Sequence, residues 1–408
     1  METASAQFDL GQLNPANPEL RANPYPLYHL LRQAMPVCPT PVGAWLISRY
    51  ADGESILVDR RFATIDLNRI GQAGHLPQTP SLDAARATMG KTMLFMDPPR
   101  HGRIRGLVSK AFSPRMVESL RPRIAAITDD LLMRVDIRGE IDLIKEFAYP
   151  LPVIVIAEML GVPPEDRDLF RRWTTDLAPL IDFIQSTDAV DRAMQAMGEI
   201  GAYLGDLVEQ RRCNPREDLL SALIAAEESG DRLTLDEMLA NVVLLLGAGH
   251  ETTANLIGNR VLALLRNRGE LERLRRDRSL IWSTIEECLR YDSPVQATAR
   301  RTLENVNVSG FEIPRDSHVV ILIGACNRDP AQFADPDSFY VARENNQHLA
   351  FGGGIHYCLG ANLARAEAQT AIDTLIRRFP KIDLASVDVE YRDMFNLRGV
   401  KALPVMLG

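Results

Sequence analysis

Phe351-Gly352-Gly353-Gly354-Ile355-His356-Tyr357-Cys358-Leu359-Gly360 is a glycine-rich loop that runs straight into a segment of Ala, Leu, Arg and Glu. The apolar spacing of that segment predicts a helix from about Leu359 to Arg378. Cys358 therefore stands at a helix N-terminus, where unpaired N–H groups and the helix dipole favour a thiolate. Glycines let backbone approach a flat ligand closely, and hydrogen bonds to a sulfur tune its electron donation. A strand-to-helix turn with a buried, inert cysteine is the plainer alternative, and on the cysteine alone it is the better one. The three glycines, His356 two before the cysteine and Gly360 two after it weigh against that alternative.

Upstream, Thr234 and Glu237 form a capping box (Thr-x-x-Glu) ahead of an apolar run. The pattern continues to about Arg266, which predicts a helix of roughly 30 residues, ~45 Å at 1.5 Å per residue. Inside it, after Leu244-Leu245-Leu246, stands Gly247-Ala248-Gly249-His250-Glu251-Thr252-Thr253. Glycine in a helix costs about 1 kcal/mol relative to alanine, and threonine hydroxyls can bond back to carbonyls and bend the axis. Such a turn is costly in a buried helix unless it has a use. Taken singly, Gly249 reads as a point of close helix packing and Glu251 as a solvent-facing acid. His250-Glu251 also begins a His-Glu-x-x-His zinc helix, but the fifth position is Ala254, which excludes a zinc protease.

Three further segments matter. Glu287 and Arg290 lie three apart in 283–291 and share a helix face; an isolated pair of this kind contributes little. Met96-Asp97-Pro98-Pro99-Arg100-His101-Gly102-Arg103-Ile104-Arg105 spaces His101 and Arg105 four apart, and Arg300 closes Val295-Gln296-Ala297-Thr298-Ala299-Arg300. Ordinary surface bases are the commoner fate of such arginines.

The chain falls into three textures without a convincing linker, which predicts one integrated domain over 1–408. Residues 15–65 mix Pro-punctuated segments with the strand-like run Ala44-Trp45-Leu46-Ile47-Ser48. Residues 97–290 are almost entirely helical in pattern, with apolar spacing in 116–134, 153–160, 194–211, 217–228 and 234–266. Residues 295–408 hold β-branched runs, a hairpin over Val306 to Pro314, a strand at Val319 to Ile323 and short strands near Val400 to Leu407. Residues 66–92, rich in Gly, Pro, Gln and Ser, read as a long irregular loop, a kind more often functional than idle.

Formal net charge is −8 over 408 residues, which disfavours wholesale nucleic-acid binding. The five cysteines are scattered without zinc or disulfide spacing, so reduced thiols in a reducing compartment are expected. The N-terminus has no signal-peptide pattern. The longest apolar stretch, Val242 to Gly249, is too short to span a bilayer. No membrane anchor and a cytoplasmic location are the expectations.

Taken together, the segments resemble the cytochrome P450 family. Residues 351–360 match its haem-binding loop, Phe-Gly-x-Gly-x-His-x-Cys-x-Gly, at every specified position, and 248–253 resemble its oxygen-binding motif, Ala/Gly-Gly-x-Asp/Glu-Thr-Thr. Four motifs occur in family order, and the likeness runs from about Asn23 to Leu407, with 66–92 unaligned. The resemblance implies the P450 fold, mostly α with a small β part, and haem b between a long central helix and the cysteine loop. Cys358 is then the axial thiolate, which pushes electron density toward O–O cleavage. Phe351 packs beside the sulfur, Gly352 and Gly360 belong to the same haem-binding loop, and His356 reaches a haem propionate. His101, Arg105 and Arg300 take the propionates, arginine being suited to bidentate carboxylate binding. Ala248 and Gly249 leave space above the iron, while Glu251 and Thr252 act as acid and alcohol of a proton relay in a dry pocket. Glu287 and Arg290 match the structural Glu-x-x-Arg motif, joined by Arg343 in a buried network that is costly to break.

The family also implies an activity: insertion of one atom of O2 into an organic substrate, by hydroxylation or epoxidation. The implied pocket draws on residues 66–95 and 172–184, Leu245, Ala248, Val295 and the turn Phe395-Asn396-Leu397. That lining is largely apolar and suits a lipophilic molecule such as a macrolide, steroid, terpenoid or fatty acid. No Gly-x-Gly-x-x-Gly after a strand and no cysteine run for a cluster occurs. A separate ferredoxin and its reductase are therefore the expected electron donors to a monomeric enzyme. Arg100, Arg103, Lys110, Arg115 and Arg365 are candidates for their docking patch, with a solvated helix face as the equal alternative. Rival readings are a peroxide-using or rearrangement-type P450-like enzyme, against which Glu251 with Thr252 argues, and a non-catalytic haem sensor or carrier.

Overall fold

The computed structural model describes residues 11, 14, 16–65, 79–135, 139–181, 186–228 and 234–408. Its contacts group Met1–Ile65, Gly258–Cys358 and Ser386–Lys401 into one unit, and Asp66–Ile257, Leu359–Ala385 and Ala402–Gly408 into a second.

The first unit holds a five-stranded sheet in the order Val37–Pro39, Ala44–Ile47, His318–Ile321, Thr298–Thr302, Phe62–Ala63. Ala44–Ile47 and His318–Ile321 run parallel, with Ala44 opposite His318 and Ile47 opposite Ile321. The other neighbours are antiparallel. Alternate side chains of these β-branched runs point one way, so Ile47, Val319 and Ile321 bury with Ile56, Leu57, Val306 and Ile313 in one apolar cluster. The hairpin Val306–Val308 with Phe311–Ile313 turns at Ser309 and Gly310, both at positive φ, as a two-residue hairpin turn demands. The strand expected to reach Ile323 stops at Ile321, because Ile323–Cys326 winds into a helical turn.

The second unit is largely helical. It contains Arg100–Val108, Pro114–Met133, Pro150–Met159, Arg167–Leu177, Thr187–Cys213, Leu219–Glu228 and Ala361–Arg378. The helix Leu235–Arg266 belongs to it as far as Ile257 and to the first unit from Gly258 onward. Local chemistry sets the starts. Ser113 and Ser186 accept from Met116 N and Ala189 N. In the capping box, Thr234 Oγ1 accepts from Glu237 N and Glu237 Oε2 accepts from Thr234 N, both at 3.2 Å. Ala361–Arg378 packs along Pro114–Met133. A small sheet places Pro404–Leu407 between Glu140–Asp142 and Ile382–Leu384.

The reading of 66–92 as an irregular loop is corrected in part, since Pro80–Met89 is a helix. Thr79 caps it by accepting from Leu82 N at 3.2 Å, and Pro80 sits where a missing N–H costs nothing. Leu82, Ala85 and Met89 are buried at helical spacing, the first two against Val190. Averaging composition over the whole stretch hid that pattern. Residues 66–78 lie outside the described residues. Among those described, no helix is long and apolar enough to cross a membrane.

Candidate functional site

The cysteine loop is shaped by its own backbone. Gly352 N donates to Leu349 O at 2.8 Å, Tyr357 N to Gly354 O at 3.1 Å and Cys358 N to Phe351 O at 2.9 Å, which folds Cys358 back beside Phe351. Gly352 and Gly354 take φ of 69° and 63°, where a side chain is strained. A Cβ on Gly354 would also stand 2.4 Å from Leu57 O. Gly360 is different: its φ is −84°, and a Cβ there would meet nothing within 4 Å. It is the N-cap of Ala361–Arg378, so Cys358 precedes that helix by two residues before the cap. Among the described residues Cys38, Cys288 and Cys326 are buried, while Cys358 is exposed. Burial pushes the Cys288 thiol up to about 12.

The polar turn of the long helix keeps its helical geometry. Thr252 Oγ1 donates back to Ala248 O at 2.7 Å. Glu251 is completely buried, which overturns a solvent-facing role. A Cβ on Gly249 would meet nothing within 4 Å, so close helix packing does not account for that glycine. His250 is buried with its ring edge-on to Tyr149, centroids 4.0 Å apart. Leu245 is buried, and Ala248 is half-buried.

His101 and Arg105 lie on Arg100–Val108, the first buried and the second half-buried. Burial first, and the Arg105 charge second, hold the His101 imidazole below its usual range, so its neutral form is favoured. Arg300 is buried in its strand, with Nη1 donating to Ala299 O at 2.9 Å. Phe351, Gly352, His356, Cys358, Arg300, Val295 and Phe395 belong to the first unit. His101, Arg105, Leu245, Ala248, Gly249, Glu251, Thr252 and Gly360 belong to the second.

Glu287 and Arg290 are both fully buried. Arg290 Nε and Nη2 donate to the two Glu287 oxygens at 2.7 and 2.8 Å. Arg343 Nε joins at 2.9 Å, Asn346 Nδ2 at 3.1 Å and Tyr340 N at 2.9 Å. Arg290 Nη1 continues to Asn327 O at 3.0 Å and Pro336 O at 2.7 Å. Asn327 Oδ1 in turn accepts from Leu349 N at 2.7 Å. The network therefore reaches the cysteine loop through Asn327.

Two of the docking-patch candidates have another task. Arg103 donates to Glu237 Oε1 at 2.7 Å and Arg100 to the same oxygen at 3.4 Å. Burial alone would raise the Glu237 carboxyl, but Arg103, Thr234 N and Arg100 hold it below the usual range. These charges fasten the start of the long helix.

Sequence reading missed Leu57, Asn346 and Glu367. The first two meet their partners over long chain separations and leave no local signal. Glu367 was legible as an acid on the apolar face of Ala361–Arg378, four residues from buried Ala371. It is buried, and burial alone raises its carboxyl to about 8. The folded chain then holds a proton that the unfolded chain, near 4.3, has released. Stability from this group is full below the unfolded pKa and is lost as pH rises toward 8. From pH 6 to 8 wild type should lose about 2–3 kcal/mol through it. Glu367→Gln should flatten that loss in urea melts, and an unchanged pH slope would contradict it.

An exposed cysteine two residues before a helix N-cap, in a loop shaped by glycines at positive φ, fits a thiolate ligand to a flat cofactor. The comparisons agree. Residues 167–400 match the sequence model of the family described as Cytochrome P450. Over 373 residues the chain is 48% identical to Cytochrome P450 107B1 of Saccharopolyspora erythraea, covering 90% of this chain and 89% of the relative. It is 42% identical over 395 residues to the Vitamin D(3) 25-hydroxylase of Pseudonocardia autotrophica, covering 95% and 94%. It superposes with TM-score 0.89 and 39% identity on P450BioI, solved in complex with a hexadec-9Z-enoic acid ligated acyl carrier protein, covering 96% and 99%. The chain belongs to the cytochrome P450 family. Its fold is that family's mostly helical one, its cofactor is haem with a cysteine thiolate ligand, and its activity is that of a monooxygenase.

Proposed function

We propose that this P450 hydroxylates or epoxidises a lipophilic small molecule, with Cys358 as the axial thiolate. Cys358 would hold the haem, which would supply O2 activation, with electron density from the sulfur favouring O–O cleavage. Phe351, Gly352, His356 and Gly360 shape the thiolate side. Arg105 and Arg300 bind the propionates as charges, and His101 as a neutral donor. Leu245, Ala248, Val295 and Phe395 face the substrate. The relatives named as acting on vitamin D(3), or solved with an acyl-bearing carrier, support a lipophilic substrate.

The observation that carries the oxygenase reading is the pairing of a fully buried Glu251 with an anchored Thr252 beside the open side of Gly249. Thr252 Oγ1 spends its proton on Ala248 O, which leaves the oxygen lone pairs to accept from an ordered water. Glu251 replenishes the proton in a site closed to bulk solvent. The same pairing argues against a peroxide-using enzyme and against a sensor. In Thr252→Ala, O2 and reductant should still be consumed while product falls on the order of 10²-fold and hydrogen peroxide appears. Peroxide-driven turnover should survive. Product formed per O2 at the wild-type ratio would contradict the relay.

Electrons come from a separate ferredoxin and reductase. Lys110 and Arg115 are the docking charges best placed to meet it, since Arg100 and Arg103 also pair with Glu237. The enzyme acts as one catalytic domain, a monomer in the cytoplasm, a compartment in keeping with its reduced thiols.

A further inference from the structure

Val295 and Phe395, a hundred residues apart, sit on segments that are fastened together. Gln296 N donates to Asn396 O at 2.9 Å and Arg398 N to Pro294 O at 2.7 Å. Ala297 N donates to Asn396 Oδ1 at 3.0 Å, and Val295 pairs with Leu397 across an antiparallel bridge. Val295 and Phe395 remain half-buried, while Asn396, Leu397 and Arg398 are buried.

Arg398 holds this arrangement from behind. Its Nε donates to Asp292 Oδ1 at 2.5 Å. Its Nη2 donates to Ala22 O at 2.9 Å, and Nη1 donates to Arg21 O. Those carbonyls end the short helix Pro18–Ala22, where C=O groups have no partner within the helix, so the guanidinium acts as its cap. Asp292 also accepts from Tyr25 OH at 2.5 Å and caps Ile281–Tyr291, the helix of Glu287 and Arg290. The guanidinium lies 4.0 Å from the Tyr391 ring, and Asn259 Nδ2 holds Arg398 O at 3.0 Å. Burying a guanidinium with one carboxylate is a costly way to close a turn if stability is the only return. What it provides here is a single register for Phe395 against Val295.

We infer that Arg398 is a positioning residue for substrate recognition: it fixes the Phe395 turn against Val295 and ties both to the N-terminal helix Pro18–Ala22. Residues 18–25 thereby help to set the shape of the pocket wall. The inference rests on the reading that Val295 and Phe395 face the substrate.

Two azoles separate the effects in optical titrations of the holoenzyme. Imidazole needs only the iron, whereas clotrimazole also fills the space up to the pocket wall. Arg398→Lys keeps a charge beside Asp292 but lacks the planar fork that spans two carbonyls. Clotrimazole should weaken by about tenfold, toward 10²-fold if the turn moves by about 1 Å. Imidazole binding and the thiolate–CO band should stay as in wild type. Tyr25→Phe removes only the shared hydrogen bond on Asp292 and should give a smaller loss of the same selectivity, which covers the case in which Arg398→Lys fails to fold. Phe395→Ala tests the reading beneath. If it leaves clotrimazole binding unchanged, the turn does not face the pocket, and the reading fails together with the inference. If Phe395→Ala weakens clotrimazole while Tyr25→Phe and a folded Arg398→Lys do not, the inference alone is overturned. Equal loss of both azoles would also overturn it, leaving Arg398 a general stability residue.

Discussion

Glu287→Ala is expected to cost about 3–5 kcal/mol of stability and to leave little protein able to bind haem. The magnitude follows from what the substitution strands. Glu287 answers two guanidinium groups, Arg290 and Arg343, together with Asn346 and the Tyr340 N–H, and it is fully buried. Removing the carboxylate leaves Arg290 buried with no counter-charge beside it, while its remaining bonds run to the Asn327, Pro336 and Ser338 carbonyls. The damage should reach the cysteine loop, because Asn327 also holds Leu349 N and Leu349 O accepts from Gly352 N. Glu287→Gln keeps the shape and one acceptor but turns an amide donor toward guanidinium, so it should fall between wild type and alanine. Urea melts and haem content of purified protein measure both effects. A Glu287→Ala protein that melts with wild type and carries full haem would show that the network is incidental.

What the sequence revealed and what it concealed divides by distance along the chain. The cysteine loop is contiguous, and its glycines, histidine and cysteine fall within ten residues, so the motif could be read directly. The long helix was legible because Thr234 and Glu237 cap each other three residues apart and its apolar spacing is regular. The five-stranded sheet was legible only as separate runs, since nothing local pairs Ala44 with His318. The helix Pro80–Met89 was hidden by its polar surroundings, although Thr79, Pro80 and the spacing of Leu82, Ala85 and Met89 are ordinary start and face signals. The ion pair of Arg103 was hidden for a related reason. Arg103 looks solvated in sequence, and its partner Glu237 lies 134 residues away. Glu251 shows the reverse. A glutamate in a helix is usually exposed, and only its place in a motif marked it as the buried acid the structure contains.

Cys358→Ala carries the other large expected effect. Cys358 shapes the loop through its backbone N–H to Phe351 O, a bond that alanine keeps, so the variant should fold. No other described cysteine is placed to substitute. Cys38, Cys288 and Cys326 are buried, and burial raises each of their thiols. Cys213 is exposed but ends the helix Thr187–Cys213 instead of standing in a glycine-rich loop ahead of one. The measurement is the visible spectrum of reduced protein under carbon monoxide, wild type beside Cys358→Ala. The red-shifted thiolate–CO band should appear in wild type and be absent from the variant even when haem is bound. Wild type that binds haem without that band, or a variant that retains it, would contradict the assignment of Cys358 as the axial ligand.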